Sequence, residues 1–386
     1  MERVYLDHNA TTPLDPRVFE AMVPVLRDGF GNPSSQHWFG QQARAALDEA
    51  RSQVAALIGA TPAEIVFTAS GTEADNIALR GVAGMTREPR RKIVISAVEH
   101  HAVLNTARAL DGEGWPVETV RVTARGLVDL DDLRAKVDEQ TALLCLMLAN
   151  NETGVVQPIA EAVRLAREHG ALVHTDGVQA AGKVPVDVRA LDVDLLALSA
   201  HKLYGPKGAG ALYIRRGTKL QAFVRGGAQE RNRRAGTENV AGVVGFGRAA
   251  SLAREELAVE GARQGSLRDR LEERLLAIPG TLRNGDGPRV PNTTNVSFEG
   301  VEAEGLLMAL DLMGVAVSTG AACAAGAVEP SHVLRAMGLT AERVQASLRF
   351  SLGRGTTEAH LERAAEAVSA CIQRQRSASL TGGRRA

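Results

Sequence analysis

The chain centres on residues 198–208, which read Leu198-Ser199-Ala200-His201-Lys202-Leu203-Tyr204-Gly205-Pro206-Lys207-Gly208. An apolar run at 195–198 leads into Ser-x-His-Lys and then into a glycine-rich turn, so a buried strand is expected to end at the amine of Lys202. Where water is scarce, the charged form of a lysine is disfavoured, its pKa falls and its amine becomes a nucleophile. Such an amine can form a Schiff base with an aldehyde cofactor. On this stretch alone, an ordinary surface lysine is the simpler interpretation.

Short β-prone segments alternate with helical ones on both sides of this stretch. Strands are predicted at residues 64–68, 92–96, 117–122, 142–148, 171–174, 195–198 and 210–214, with helices beginning near residues 73, 102, 130, 159 and 178. The alternation predicts an α/β fold with a large, mostly parallel sheet. Ligands of such sheets bind at the carboxyl ends of the strands, where most of the candidate residues below fall.

The pattern changes towards the C-terminus, after a long polar loop at 226–238 and a helical region at 240–278. Beyond residue 279, strands at 295–298, 315–318 and 348–351 and helices at 301–313 and 357–374 predict a smaller α+β domain. The expected division is an N-terminal arm at 1–15, a large α/β domain at 16–255, a small domain at 256–375 and a disordered tail at 376–386, which is rich in Ser, Gly and Arg.

Composition excludes several function classes. The 386 residues include 45 basic and 45 acidic side chains, and aromatic residues make up only 3%, so neither nucleic acid nor a membrane is an expected partner. No signal peptide or bilayer-spanning segment is read, and a cytoplasmic location is expected. Cys145, Cys323 and Cys371 form no C-x-x-C pair, so no metal site is predicted and a cysteine used here would act singly, as a thiol.

Two segments at strand ends carry candidate cofactor contacts. Ser70-Gly71-Thr72-Glu73-Ala74 opens a helix, where free backbone N–H groups can bind phosphate or where Ser70 or Thr72 simply caps the helix. Asp176 follows another strand and can pair with a protonated pyridine nitrogen or cap a helix. The G-x-x-x-x-G-K spacing that ends at Lys183 is not a P-loop, because Val184 stands where Ser or Thr should hold magnesium.

Further candidates lie at other strand ends and near the C-terminus. His100 can stack on a flat ring and move protons, or can cap a helix. Asn151 can donate to a phenolate or a carboxylate, or can belong to a turn. Cys323 lies in a stretch of small residues that suits a thiol on a mobile loop, although a buried cysteine is the commoner case. Either Arg349 or Arg354 can clamp a substrate carboxylate.

Together these features resemble the cysteine desulfurases of the NifS/IscS type, which are class V aminotransferase-like pyridoxal-phosphate enzymes. The resemblance extends from residue 5 to residue 358. Within the family, it is to the group whose cysteine lies on a long loop. Its motifs are Tyr5-Leu6-Asp7-His8-Asn9-Ala10-Thr11-Thr12-Pro13, Gly31-Asn32-Pro33-Ser34-Ser35-Gln36-His37, Thr68-Ala69-Ser70-Gly71-Thr72-Glu73-Ala74-Asp75-Asn76, Asn150-Asn151-Glu152-Thr153-Gly154, His174-Thr175-Asp176-Gly177-Val178-Gln179, residues 199–208, and Cys323 followed by Pro330-Ser331-His332-Val333-Leu334.

The resemblance implies a pyridoxal-phosphate transferase fold and a role for each site residue. Lys202 carries the cofactor and shuttles the Cα proton, His100 stacks on the ring and manages thiol protons, and Cys323 attacks the substrate sulfur. The phosphate contacts are Gly71, Thr72, Ser199, His201 and, from the partner subunit of a homodimer, Thr237. Asp176 pairs with the ring nitrogen and Gln179 contacts the ring oxygen. Asn151 contacts the cofactor and, with Arg354 preferred over Arg349, orients the substrate carboxylate.

The implied reaction converts L-cysteine to L-alanine and leaves a persulfide on Cys323 for a sulfur-acceptor protein, such as an iron–sulfur scaffold or a thiolation enzyme. The resemblance also allows Cys323 to act as a transient iron–sulfur ligand. Ala321, Ala324 and Ala325 stand where many relatives carry Ser or Thr, and the tail lacks the aromatic, acidic end that docks a scaffold in some of them. Selenocysteine lyase, another class V aminotransferase or lyase, and a catalytically silent scaffold are the alternatives.

Overall fold

A computed structural model describes residues 3–86, 90–320, 323–324, 327–328 and 330–382, with the backbone alone at 323–324, 327–328 and 379–382. Its strands are β1 (Val4–Tyr5), β2 (Ile65–Thr68), β3 (Lys92–Ser96), β4 (Val117–Val120), β5 (Thr141–Cys145), β6 (Leu172–Asp176), β7 (Leu195–Ser199), β8 (Gly210–Ile214), β9 (Thr281–Arg283), β10 (Thr293–Phe298), β11 (Val315–Ala316), β12 (Cys323–Ala324), β13 (Ala327–Val328) and β14 (Ser347–Ser351).

The helices of the described residues follow in the same order. They are α1 (Pro16–Asp28), α2 (Trp38–Leu57), α3 (Gly71–Met85), α4 (His101–Gly112), α5 (Leu130–Lys136), α6 (Ile159–Glu168), α7 (Val188–Leu191), α8 (Gln229–Asn232), α9 (Val240–Leu276), α10 (Ala303–Leu312), α11 (His332–Ala336), α12 (Ala341–Gln345) and α13 (Glu358–Gly382). Short 3₁₀ turns cover Pro62–Glu64 and Ala200–Lys202. None of these helices has both the length and the apolar character needed to span a bilayer.

Within the described residues, the largest sheet has seven strands in the order β2-β8-β7-β6-β5-β3-β4. The strands from β7 to β4 pair in parallel, whereas β8 runs antiparallel to both of its neighbours. The predicted α/β fold with a mostly parallel sheet is confirmed. Because β2 also points the same way as β7, the carboxyl ends of β2, β3, β5, β6 and β7 meet along one edge.

The apolar runs of the central strands reflect burial on both faces of this sheet. In β7, Leu196 and Leu198 join one hydrophobic cluster, while Leu195 and Ala197 join a second cluster on the opposite face. All four side chains are fully buried. Helices cover both faces, so no polar residue interrupts the strand until Ser199, where the chain reaches the edge that carries the candidate site.

Helix α9 connects the large sheet with a second, smaller core. It has 37 residues and is therefore about 55 Å long. Its first half, including Phe246 and Ala253, belongs to the large cluster, whereas Leu271 and Leu275 belong to the smaller one. The predicted domain boundary at 255/256 therefore falls inside one continuous helix, at the point where its buried face changes partner; the boundary itself remains a prediction.

The smaller core contains an antiparallel sheet in the order β14-β10-β9. Strand β1 pairs in parallel with β11 and brings Val4 and Leu6 of the N-terminal arm into the same core. The arm then continues to the carboxyl edge of the large sheet, because the backbone N–H of Thr12 donates to the carbonyl of His201 at 3.0 Å. The arm thus contacts both cores.

Two predictions of secondary structure are wrong. No helix begins near Val178; residues 178–183 form turns, and the backbone N–H of Val178 donates to the carboxylate of Asp176. The tail, expected to be disordered from Arg376, continues α13 as far as Gly382. The guanidinium of Arg376 donates to the carbonyl of Glu299 at 3.0 and 2.7 Å, which anchors this extension to the small core. Residues 383–386 lie outside the described range.

Candidate active site

A cavity of about 490 Å³ opens at the carboxyl edge of the large sheet. Most of the residues predicted from the sequence line it together: Gly71, Thr72, His100, Asn151, Asp176, Gln179, Ser199, His201 and Lys202. They come from five strand ends that are widely separated along the chain. The topology of the sheet therefore assembles them.

Lys202 stands at the end of the 3₁₀ turn that follows β7. Its Nζ donates to the carbonyls of Asn9, at 2.5 Å, and Ala10, at 2.6 Å. Burial, together with the nearby guanidinium of Arg349, lowers the pKa of Lys202 to about 8. Roughly a tenth to a fifth of the amine is therefore neutral near physiological pH, far more than for an ordinary lysine, and the neutral form is the nucleophile.

The amino end of α3 provides an anion site at one side of the cavity. Ser70 caps the helix by accepting the N–H of Glu73 at 3.1 Å, and the intrahelical bonds begin with the N–H of Ala74. The N–H groups of Gly71 and Thr72 precede these bonds, as at other helix ends that hold phosphate. A Cβ on Gly71 would lie 2.7 Å from Cγ2 of Val178, so only glycine permits this approach of helix and turn.

Ser199 and His201 extend the anion site from the end of β7. Nδ1 of His201 lies 3.1 Å from Oγ1 of Thr11, a residue of the arm. Burial and the charge of Lys202 lower the pKa of His201 to about 4, so its imidazole is neutral at pH 7. A neutral imidazole retains one N–H that can donate to an anion.

Asp75, His100 and Asp176 also line the cavity. A ring nitrogen of His100 and carboxylate oxygens of Asp75 and Asp176 lie within 4.8 Å of one another. Nδ1 of His100 accepts the N–H of Ala102 at 3.1 Å and caps α4, while burial lowers the pKa of His100. Its proton in the neutral form is therefore on Nε2. Burial raises the pKa of Asp176, whereas the charges of His100 and Lys202 and the N–H of Val178 favour its carboxylate.

This donor set fits pyridoxal phosphate. The protein offers an anion site at the start of α3, the amine of Lys202 and the buried carboxylate of Asp176. The group to be held needs a phosphate, an aldehyde and a basic ring nitrogen, which are the three features that these side chains can bind.

The two candidate arginines are separated clearly by the structure. Arg349 lies on β14 and lines the cavity; its Nη2 donates to Asp7 at 2.6 Å, and its Nη1 donates to the carbonyl of Asn151 at 2.9 Å. Its buried Nε has no hydrogen-bond partner among the described residues. A substrate carboxylate could satisfy this N–H.

Arg354, the arginine preferred from the family resemblance, does not line this cavity. Its guanidinium pairs with Asp15 at 2.8 Å and Glu256 at 3.0 Å and lies 4.5 Å from the ring centre of Tyr204. It connects the arm with α9 beside a small adjacent cavity of about 30 Å³, which Lys202 also lines. Of the two candidates, it is therefore Arg349 that lines the main cavity.

Two other predicted residues are not brought into the cavity by the described structure. Thr237 is exposed on the loop before α9. The backbone of Cys323 lies in β12, which pairs antiparallel with β13, but its side chain is outside the described part of the chain. The chain just before it does line the cavity, through Ser318 and Gly320.

Several polar residues of the site were not assigned from the sequence. Glu152 is buried and accepts the hydroxyl of Ser331 at 2.5 Å, and burial raises the pKa of Glu152 to about 7. His174 contacts Asp75 at 3.0 Å inside the core. His332 lines the cavity, with Nε2 3.0 Å from the carbonyl of Glu99. In the sequence these residues are marked only as polar residues beside apolar strands. This feature does not distinguish a residue of a turn from a residue of a functional site.

Comparison with known proteins agrees with this geometry. The family model described as aminotransferase class-V matches residues 4–364. A cysteine desulfurase from Trichormus azollae is 48% identical over 381 residues, which cover 98% of this chain and 95% of the relative.

The chain belongs to the cysteine desulfurases of the class V aminotransferase family. Another member, cysteine desulfurase IscS from Methanosarcina thermophila, is 47% identical over 377 residues, covering 97% of this chain and 93% of the relative. The solved structure of a NifS-like protein superposes with a TM-score of 0.91 at 38% identity, over 96% of this chain and 99% of that one. The expected family is thus confirmed by sequence and by fold.

Proposed function

We propose that this protein is a pyridoxal phosphate-dependent cysteine desulfurase that transfers the sulfur of L-cysteine to Cys323. The observation that carries the proposal is the cavity that Lys202, Asp176 and Arg349 line together, at the point where the chain leads into Cys323. The balanced reaction is L-cysteine plus the Cys323 thiol giving L-alanine plus the Cys323 persulfide. The Cβ–S bond breaks, an S–S bond forms, and no external oxidant is needed.

Each residue has one task in this proposal. Gly71, Thr72, Ser199 and His201 hold the phosphate, His100 stacks on the ring, Asp176 pairs with its nitrogen, and Gln179 donates to its oxygen. Pyridoxal phosphate, when bound, supplies the electron sink that weakens the bonds at the substrate Cα and Cβ. The amine of Lys202 is released when substrate binds and then accepts and returns the Cα proton.

Arg349 and Asn151 orient the substrate carboxylate in this proposal. Arg349 is already held by Asp7 and by the carbonyl of Asn151, so its free Nε is directed without further ordering. A preorganised guanidinium costs less entropy on binding than a free side chain. The same residue pairs through its backbone with Ser318, whose N–H donates to the Arg349 carbonyl at 3.2 Å. The carboxylate site and the chain leading to Cys323 are therefore adjacent.

We also propose a homodimer in which Thr237 contacts the phosphate bound by the second copy. Thr237 is exposed and lies outside the cavity of its own chain. The turn before it is firmly held, because Glu230 forms a buried two-point ion pair with Arg51 at 2.7 and 2.8 Å. A mass of two chains in solution, and weaker cofactor binding by Thr237→Val, would support this arrangement; a monomer that binds the cofactor fully would contradict it.

The persulfide requires an acceptor, for which we propose a thiol-bearing protein. Transfer through a free thiol suits a reducing compartment, so the proposal includes the cytoplasm. Cys145 and Cys371 are buried and free. Burial raises the pKa of each of these thiols, so neither is a suitable carrier of sulfur.

The test combines spectroscopy with product analysis. The purified protein incubated with pyridoxal phosphate should show a visible absorbance band that Lys202→Ala abolishes. With L-cysteine and a reductant it should release sulfide and alanine in equal amounts, and Cys323→Ser should release neither. Persulfide formation that persists in Cys323→Ser would exclude this thiol, and L-selenocysteine in a parallel assay distinguishes the lyase alternative.

A further inference from the structure

Lys183 is a partly buried lysine beside the cavity that the proposed reaction does not use. Its Nζ donates to Oε1 of Gln179 at 2.6 Å and to Oδ1 of Asn9 at 2.9 Å. Both acceptors are neutral amide oxygens, and within the described residues no carboxylate forms an ion pair with Lys183. Burial and the charges of Lys202 and Arg349 place the pKa of Lys183 well below its usual value. A lysine amine held without a carboxylate partner in a position that disfavours its charged form calls for an explanation.

Two contacts determine which way the amide of Gln179 faces. The carbonyl of Asn9 can only accept, so it must face the amide nitrogen, and the amide oxygen then faces Lys183, whose Nζ donates to it. Nε2 of Gln179 donates one hydrogen to the carbonyl of Asn9 at 2.9 Å. The second amide hydrogen remains for a group in the cavity, which Gln179 lines.

Asn9 provides a fixed second anchor for Lys183. It is 2% exposed, and its Nδ2 donates to the carbonyl of Asn151 at 3.1 Å and to Oγ1 of Thr293 at 2.9 Å. Its Oδ1 also accepts from Asn292 at 3.1 Å. Its backbone carbonyl accepts from both Gln179 and Lys202. The ammonium of Lys183 therefore bridges a rigid arm residue and the adaptable side chain of Gln179.

We propose that Lys183 is a positioning residue that holds the Gln179 amide so that its N–H faces the ring oxygen of the bound cofactor. The inference rests on the proposed function, because it needs a cofactor with a phenolic oxygen at this position. A donor there stabilises the anionic oxygen and so lowers the pKa of the neighbouring Lys202 nitrogen once it is joined to the cofactor. Loss of Lys183 should therefore raise the pH at which the visible absorbance changes.

Other charged groups near Lys202 also affect its pKa, so the variants compared must differ only at Lys183 and Gln179. Arg349, Asp7 and Asp176 act on the pKa of Lys202, while Lys202 acts on the pKa of Lys183 and Lys183 acts on that of His8. At any pH where Lys183 is protonated, removing it also removes a positive charge, which by itself would shift the midpoint in the same direction. A double-mutant cycle with Gln179 separates the two effects.

The experiment uses the full chain loaded with pyridoxal phosphate, as wild type, Lys183→Met, Gln179→Ala and the double variant. The pH midpoint of the visible band should rise by about 0.5–1 unit in Lys183→Met, the size expected for one hydrogen bond. Gln179→Ala should give a similar rise, and adding Lys183→Met to it should give a smaller further rise than Lys183→Met gives in the wild type. Lys183→Arg keeps the charge and the donors and should retain the wild-type midpoint. Melting of each cofactor-free protein checks that it is folded.

The outcomes distinguish the inference from the proposed function. A wild-type protein that forms no visible band with pyridoxal phosphate overturns both. A normal wild-type band with an unchanged midpoint in Lys183→Met overturns only the positioning role. An equal rise for Lys183→Met with and without Gln179 also overturns it, because Lys183 would then act by its charge alone.

Discussion

Arg349 and Arg354 show how two arginines only five positions apart can have different tasks. Arg349 lines the cavity and has a buried Nε without a partner among the described residues, whereas Arg354 lies outside it and is engaged by Asp15, Glu256 and Tyr204. We expect Arg349→Gln to lower kcat/KM for L-cysteine roughly 10- to 150-fold, which corresponds to about 1.5–3 kcal/mol for a hydrogen bond to a charged group. Steady-state kinetics across substrate concentration measure this change.

Arg354→Gln is the matched control. It removes two ion pairs and a ring contact, so the melting temperature should fall, but KM for L-cysteine should stay within about twofold of wild type. If Arg354→Gln raises KM as strongly as Arg349→Gln does, the carboxylate site has been assigned to the wrong arginine.

The pKa of Lys202 predicts how fast the cofactor attaches. This pKa is about 8 in the folded protein, below its unfolded value of about 10.4. Between these values the unfolded chain binds more protons, so the contribution of Lys202 to stability rises with pH in this window. The neutral amine is the reactive form, so the rate of pyridoxal phosphate capture by cofactor-free protein should rise through about pH 8 and then level off. A rise continuing to pH 10 in stopped-flow absorbance would contradict this environment.

At the scale of elements, α9 packs closely against α2 because it carries small residues. A Cβ on Gly247 would lie 2.6 Å from Cα of Ala50, whereas a Cβ on Gly265 in the same helix would have 3.8 Å to its nearest neighbour, Pro291. We expect Gly247→Ala to destabilise the protein by about 1–3 kcal/mol, as overpacking does. Gly265→Ala should stabilise it by up to about 1 kcal/mol, because alanine favours a helix interior. Urea denaturation of both variants gives the two signs, and equal effects would contradict the packing.

The sequence predicted the elements well where periodicity was strong and poorly where a single side chain decides. Strands β3 and β8 match their predicted limits. The helix expected at Val178 is absent because the carboxylate of Asp176 binds the N–H of Val178 in a turn, and this pattern looks the same as a helix cap in sequence. The extension of α13 depends on Arg376 meeting the distant carbonyl of Glu299. Local composition cannot show such a contact.

The sequence predicted most of the residues of the candidate site but not how they are arranged. The motifs around Lys202 and Asp176 indicated a cofactor, and the fold brings them to one edge. The sequence could not show which of Arg349 and Arg354 lines the cavity. The positions of these side chains depend on the pairing of Arg349 with Asp7 and of Arg354 with Asp15, each more than 300 positions away along the chain. Lys183 was recognised only as part of a rejected P-loop, since its partners Gln179 and Asn9 meet only in the folded chain.

For the whole molecule, the N-terminal arm holds the two cores and Lys202 together. Val4 is buried in the small core, and the carbonyl of Asn9 accepts from Lys202. We expect Val4→Asp to cost several kcal/mol, because it buries an unpaired charge. It should also weaken binding of pyridoxal phosphate, although residue 4 is outside the cavity. Arg3→Ala, which removes an exposed ion pair with Asp311, should change neither quantity.

Urea denaturation and titration with pyridoxal phosphate measure the two effects separately. Loss of stability with unchanged cofactor affinity in Val4→Asp would show that the arm supports the small core alone.

The arm also sets the order in which a new molecule can be completed. The backbone N–H of Asn9 donates to Oγ of Ser351, a partner 342 positions later in the chain. At a synthesis rate of about 5–20 residues per second, Asn9 waits roughly 20–70 s for that partner to be synthesised. The carbonyl that holds Lys202 is therefore made long before it can be fixed in place. An incomplete chain has no finished pocket in which to capture the cofactor.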